Sequence, residues 1–255
     1  MVGSENDLYV LRRNGEYKKA LSSPGQMNCI NSVTVSSQNH ILVVDNKRYV
    51  QMLDEGCEEN LCVKVFTPKA VSQTTDVRLK GVVMDSEGNI LVGDRARKVI
   101  NIQMHPGGKE VKEIRCGEPY VGGIAVNSQK QIIYCSHEIG TVYSKVVAID
   151  YSGDEVFSFT PRIDEDVTGK LWTTGIVSSK IWEEIDGIVC DEFDNIYLAM
   201  SVIGIDNTGH IHKYNSRGKF LHCVARGLYD PCDVAIARDD GALVVANDRS
   251  ILFYK

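Results

Sequence analysis

GIVCDEFDNIYLAM, residues 187–200, reads as a short apolar run, an acidic turn and a second apolar run. Val, Ile, Leu and Tyr crowd both runs and the link between them is brief, which is the pattern of a β-hairpin. The apolar residues are consecutive rather than alternate, so both faces of each strand are expected to be covered. The unit recurs as SVTVSSQNHILVVD (32–45), GVVMDSEGNILVGD (81–94), GIAVNSQKQIIYCS (123–136) and DVAIARDDGALVVAN (233–247).

A second, more polar hairpin follows several of these units. VVAIDYSGDEVFSF (146–159) and IHKYNSRGKFLHCV (211–224) match glycine on glycine, and so does LYVLRRNGEYKKAL (8–21) near the N-terminus. One repeat is therefore four antiparallel strands, an apolar pair inside and a wetter pair outside. Repeats of about 40–50 residues built this way indicate a β-propeller. The starts at 32, 81, 123, 187 and 233 make five inner hairpins readable. The expected fold is an all-β propeller in a single domain over 1–255, with six four-stranded blades favoured because that count averages about 42 residues per blade. Residues 160–185 are then an insertion or a degenerate blade. Strands 8–21 and the C-terminal strands are expected to share one blade, closing the ring and removing an open edge.

The 255 residues carry a net charge of −6, so any site for a polyanion must be a local patch. No apolar run approaches the ~18 residues of a membrane span, and MVGSENDLYV shows no secretory leader. Cys135, Cys190 and Cys223 sit inside apolar runs and no CxxC occurs among the eight cysteines. Such thiols behave as small hydrophobes and point to a reducing, cytoplasmic setting.

GVVMDSEGNILVGD followed by RKVINIQ, and GIVCDEFDNIYLAM followed by HIHKYNSRGKFL, resemble NHL repeats. The shared features are an opening glycine, an acidic turn, an apolar strand ending near aspartate (Asp45 and Asp94, replaced by Ser136 and Met200) and an outer hairpin. The resemblance extends to the C-terminal NHL domain of tripartite-motif (TRIM) ubiquitin ligases. It implies a fragment of a larger protein, with the RING module and any oligomerising region outside this chain. The domain itself would be a non-enzymatic recognition module for a protein target or, alternatively, for single-stranded RNA.

Propeller lyases and lactonases offer a further alternative, with a metal held at the central channel. The sequence assembles no such ligand set. His210 and His212 share one face of an expected outer strand and read as a solvated pair, and His137 follows an inner strand without a matching histidine in other repeats. Asp45, Asp94 and Asp248 recur where a carboxylate would accept hydrogen bonds from turn backbone. No GxSxG, HExxH or phosphate loop is present, and no cofactor is implied. What remains is one disk face gathering Lys47, Arg48, Tyr49, Arg78, Lys80, Arg95, Arg97, Lys98, Tyr120, Tyr229 and Arg249. Cations interleaved with aromatics would follow a phosphate chain and stack its bases, or anchor a protein partner.

Overall fold

Each repeat folds as its apolar runs require in a computed structural model that describes residues 2–3, 8–12, 14, 16–21, 30–36, 40–45, 50–54, 62–66, 77–103, 111–116, 121–137, 144–161, 182–203, 208–237, 239–247 and 250–255. At the N-terminus β1 (Val2–Gly3), β2 (Leu8–Leu11) and β3 (Tyr17–Leu21) form a three-stranded sheet. Four antiparallel four-stranded sheets follow. The first holds β4 (Ser32–Val35), β5 (His40–Val44), β6 (Val50–Asp54) and β7 (Cys62–Phe66). The second holds β8 (Leu79–Met84), β9 (Ile90–Asp94), β10 (Val99–Gln103) and β11 (Val111–Arg115). The third holds β12 (Val121–Val126), β13 (Ile132–His137), β14 (Ser144–Ile149) and β15 (Glu155–Phe159). The fourth holds β16 (Trp182–Cys190), β17 (Ile196–Ile203), β18 (Thr208–Tyr214) and β19 (Phe220–Tyr229). A final three-stranded sheet holds β20 (Pro231–Ile236), β21 (Leu243–Asn247) and β22 (Ile251–Tyr254).

The five hairpins read from sequence thus open five blades of a β-propeller, and the described residues contain no helix. Successive first strands pack on one another in the order β4, β8, β12, β16, β20. One expectation is corrected here. β3 does not pair with β22 among the described residues, and each chain end forms its own sheet. Of residues 160–185, expected as an insertion or degenerate blade, 162–181 lie outside the described residues and 182–185 begin β16.

The consecutive apolar residues are explained by what each strand separates. Ile90 and Val92 of β9 pack back onto Leu42 and Val44 of the preceding blade, whereas Leu91 packs forward onto Ile124, Ile132 and Tyr134. In β13, Ile132 and Tyr134 face backward and Ile133 and Cys135 face forward, onto Ile188 and Leu198. The apolar side chains of these second strands are therefore core for one neighbour or the other.

The acidic turns have a common mechanism. Asp85 Oδ1 accepts the N–H groups of Glu87 (2.9 Å) and Asn89 (2.8 Å). Asn127 does the same for Gln129 and Gln131, and Asp191 for Phe193 and Asn195. These side-chain cages replace a backbone turn and hold the fourth residue at positive φ, 84° at Gly88 and 63° at Asp194. The turns also join blades: Asp194 accepts Ser128 N and Oγ, each at 2.8 Å, and Tyr151 donates to Asp85 at 2.6 Å.

The opening glycine has a different cause. A Cβ on Gly187 would lie 2.7 Å from Asp233 Cα and Val234 N, backbone of the next inner strand. On Gly123 it would lie 3.0 Å from the carbonyl oxygen of Asp186. β16 approaches β20 too closely at Gly187 for a Cβ, and β12 approaches β16 almost as closely at Gly123.

Candidate active site in the central channel

The inner strands are not regular. Pairing slips between Lys80 and Val82 in β8, Val121 and Ile124 in β12, Ile185 and Gly187 in β16, and Pro231 and Asp233 in β20. A bulge at this point turns an unpaired residue away from the ladder and re-aims its side chain. In β16 that residue is Asp186, exposed between buried Ile185 and buried Gly187. In β20 it is Cys232, beside Asp233.

Asp186 and Asp233 both have solvent-accessible surface and yet are ringed closely by protein atoms. The two descriptions agree if these side chains line a narrow wet channel rather than open surface. Removal of bulk water pushes the Asp186 carboxyl up to about 7, and the negative charges of Glu184, Asp230 and Asp233 add to the shift, with Lys80 opposing it. Desolvation likewise lifts Asp233 to about 6 despite the N–H of Val234, which donates to its carboxylate at 2.8 Å. The Cys232 thiol is pushed up to about 11, first by desolvation and then by Asp233 and Asp186. In β12, between β8 and β16, Gly122 and Gly123 put no side chain between Lys80 and Asp186. The channel is thus two-sided, with Lys80 on β8 and carboxylates on β16 and β20.

Beside Lys80 is a recess of about 260 Å³ lined by Asn31, Val77, Arg78, Leu79, Lys80 and Arg95. Of the basic and aromatic face expected from sequence, the structure brings Arg78, Lys80 and Arg95 together here. Arg97 is elsewhere employed: its guanidinium is buried, 2.6 Å from Glu113 and 3.8 Å from Asp94. Lys98 is an exposed turn residue at φ 56°, and Tyr229 is an exposed residue ending β19. Lys47, Arg48, Tyr49, Tyr120 and Arg249 lie outside the described residues, as does Asp248. The turn-capping role holds at Asp94, whose Oδ1 accepts Arg78 N (3.2 Å), Ala96 N (3.1 Å) and Arg97 N (3.2 Å).

Two histidines need correction. His210 and His212 are buried, with rings 4.2 Å apart, and His212 Nδ1 lies 3.3 Å from the Tyr214 hydroxyl. They are not a solvated pair, because the third strand of the blade is still covered and the wet strand is β19. Cys116, Cys135, Cys190, Cys223 and Cys232 form no disulfide.

A family model described as the SMP-30/gluconolactonase/LRE-like region matches residues 4–246. The chain belongs to that family of propellers. Solved structures agree on the fold. A gluconolactonase from Xanthomonas campestris superposes with a TM-score of 0.70 at 11% identity, over 97% of this chain and 77% of that one. Regucalcin from Agrobacterium tumefaciens, a calcium-binding protein, gives 0.62 at 16% identity over 96% and 76%. Virginiamycin B lyase from Staphylococcus aureus gives 0.57 at 14% over 98% and 77%. At these identities the likeness shows the fold alone. No curated protein matches the sequence.

The family match overturns the resemblance to NHL domains of TRIM ligases. With it fall the reading as a non-enzymatic recognition module, the ligase connection and the RNA-binding alternative. The family match favours the further alternative, a propeller lyase or lactonase, over the recognition module. A channel metal is not supported by the donor set: among the described residues no three His, Cys, Asp or Glu side chains converge closely enough to hold an ion. No step below runs through one. Among the same residues no helix is long and apolar enough to cross a membrane.

Proposed function

We propose that this protein is a lactonase-type hydrolase that opens a cyclic ester in its central channel, with Asp186 as the proton-transferring group. The observation that carries the reading is the Asp186 carboxyl, set on a bulge of β16 and ringed by protein atoms, whose desolvation pushes it up to about 7. A general base works best when its pKa lies near the operating pH. Ionised Asp186 takes a proton from water as the water oxygen adds to the lactone carbonyl carbon. The ring C–O bond then breaks, and Asp186 returns the proton to the departing alkoxide, giving a hydroxy acid. Lys80 favours the ionised form at the start of the cycle. Family membership supports the reaction class.

The test is hydrolysis of a panel of γ- and δ-lactones, followed by acid release. Asp186→Asn keeps size and shape and is expected to lower turnover by about 10²–10⁴-fold. Full turnover in that variant would sink the assignment, as would a panel left intact. An unsaturated product in place of the hydroxy acid would mean that the same base drives an elimination.

The ring around this channel is read as six-bladed, the N-terminal sheet being the sixth. Supporting this, Leu8 and Val10 pack on Ile41 and Val43 of β5, the faces that in other second strands meet the preceding blade.

A further inference from the structure

The lining of the recess beside the channel is cationic in a chain of net charge −6. Its position is built by backbone contacts. Arg95 N donates to the carbonyl of Arg78 at 2.8 Å, Arg78 N donates to Asp94 at 3.2 Å, and Asn31 Nδ2 reaches the carbonyl of Leu79 at 3.0 Å. The segments that carry Arg78, Lys80 and Arg95 are therefore fixed to one another and to the preceding blade. Lys80 also acts electrostatically on Asp186, which in turn feels the negative charges of Glu184, Asp230 and Asp233. An anion entering the channel is drawn to one side and repelled by the other, which fixes its orientation. About 260 Å³ falls below the ~300–1,000 Å³ of pockets for drug-sized ligands. It has room for a single oxyanion with its nearest carbon atoms and none for a polymer.

We propose that this recess binds an oxyanion carried by the substrate, so that the lactone presented to Asp186 is a carboxylate- or phosphate-bearing molecule. The proposal rests on the lactonase reading of the same channel. Lys80 supplies a point charge to either oxyanion, and Arg78 and Arg95 add positive charge to the lining. Lys80 stands on the border of recess and channel, so an anion held there leaves the rest of the substrate facing Asp186. The basic residues that suggested a nucleic-acid face would serve a small anion instead.

Titration of the full chain with inorganic phosphate and, separately, with acetate tests the recess without any turnover. The wild type is expected to bind at least one of them saturably, more weakly as salt rises. Lys80→Gln, a partly exposed site where folding is not at stake, should lose about tenfold or more in affinity. Asp186→Asn should retain binding. Matched lactones that differ only in a phosphate or a carboxylate then separate the two sources. The charged member should show the higher kcat/KM, by about tenfold, and Lys80→Gln should erase that preference. Tighter phosphate binding with preference for the phosphorylated lactone assigns one class, and the reverse assigns the other. Anion binding without lactone hydrolysis would keep the recess and remove the reaction. Absence of saturable binding by the wild type, or equal binding by folded Lys80→Gln, would overturn the proposal.

Discussion

Replacing Gly187 by alanine probes both the ring and the channel. The new Cβ would stand 2.7 Å from Asp233 Cα and Val234 N and 2.9 Å from Asp233 C. All three are backbone atoms, so no side chain can swing aside, and the inner strands β16 and β20 must separate by several tenths of an ångström. Overpacking of this kind costs about 1–3 kcal/mol, and the rigid neighbours put this site in the upper half of that range. At about 2–4 °C per kcal/mol for a chain of this size, the midpoint of thermal unfolding should fall by about 4–12 °C. Gly88→Ala is the control. Its Cβ meets nothing within 4 Å and only the φ of 84° is strained, a cost of about 1–2 kcal/mol. The control lies in a turn between strands, whereas Gly187 adjoins Asp186 and contacts Asp233. Lactone turnover should therefore fall in Gly187→Ala and hold in Gly88→Ala. Equal stabilities with unchanged turnover in both would refute the close-approach argument.

Asp94→Ala removes the acceptor of three backbone N–H groups and leaves the buried Arg97 with Glu113 alone. It should lower stability by about 3 kcal/mol in denaturant unfolding, and a loss below 1 kcal/mol would contradict the capping role. Asp186→Asn should stabilise the fold while damaging turnover. The folded carboxyl keeps its proton up to about pH 7, whereas the unfolded one releases it near its ordinary value. Wild-type stability thus falls as pH rises between those limits. The Asn variant should match the wild type below that window and melt higher above pH 7; a constant difference across pH would be inconsistent with this linkage. Cys232 is exposed, yet its thiol is held at about 11, so thiol reagents should label it slowly at pH 7.5 and faster as pH climbs. Labelling at the rate of a free cysteine would contradict the desolvated channel.

The hairpin repeat was readable because strands buried on both faces write consecutive apolar residues, as Ile90, Leu91 and Val92 do. The acidic turns were readable for a similar reason, since Asp85 and Asp191 each cap their own backbone. Family was not readable at that level, because different propellers share this unit. The channel was missed through a preference for cations. The residue before each repeat start, Asn31, Lys80, Gly122, Asp186 and Cys232, falls in or next to the inner-strand bulge in four of the five blades. Comparing that one column would have set Asp186 against Lys80. The desolvation that tunes Asp186 comes from neighbouring blades far apart in sequence, and no local pattern encodes it. His210 and His212 misled because alternation on a third strand looks wet, while the cover over it comes from other strands.

The most direct test is the pH dependence of kcat/KM for the best lactone substrate. Asp186 acting as base predicts a rising limb centred near pH 7. The limb should move upward in Lys80→Gln, which removes the cation favouring ionised Asp186, and should vanish from the residual activity of Asp186→Asn. A limb near pH 4, or one that survives unchanged in Asp186→Asn, would contradict the assignment of the channel carboxylate as the catalytic base.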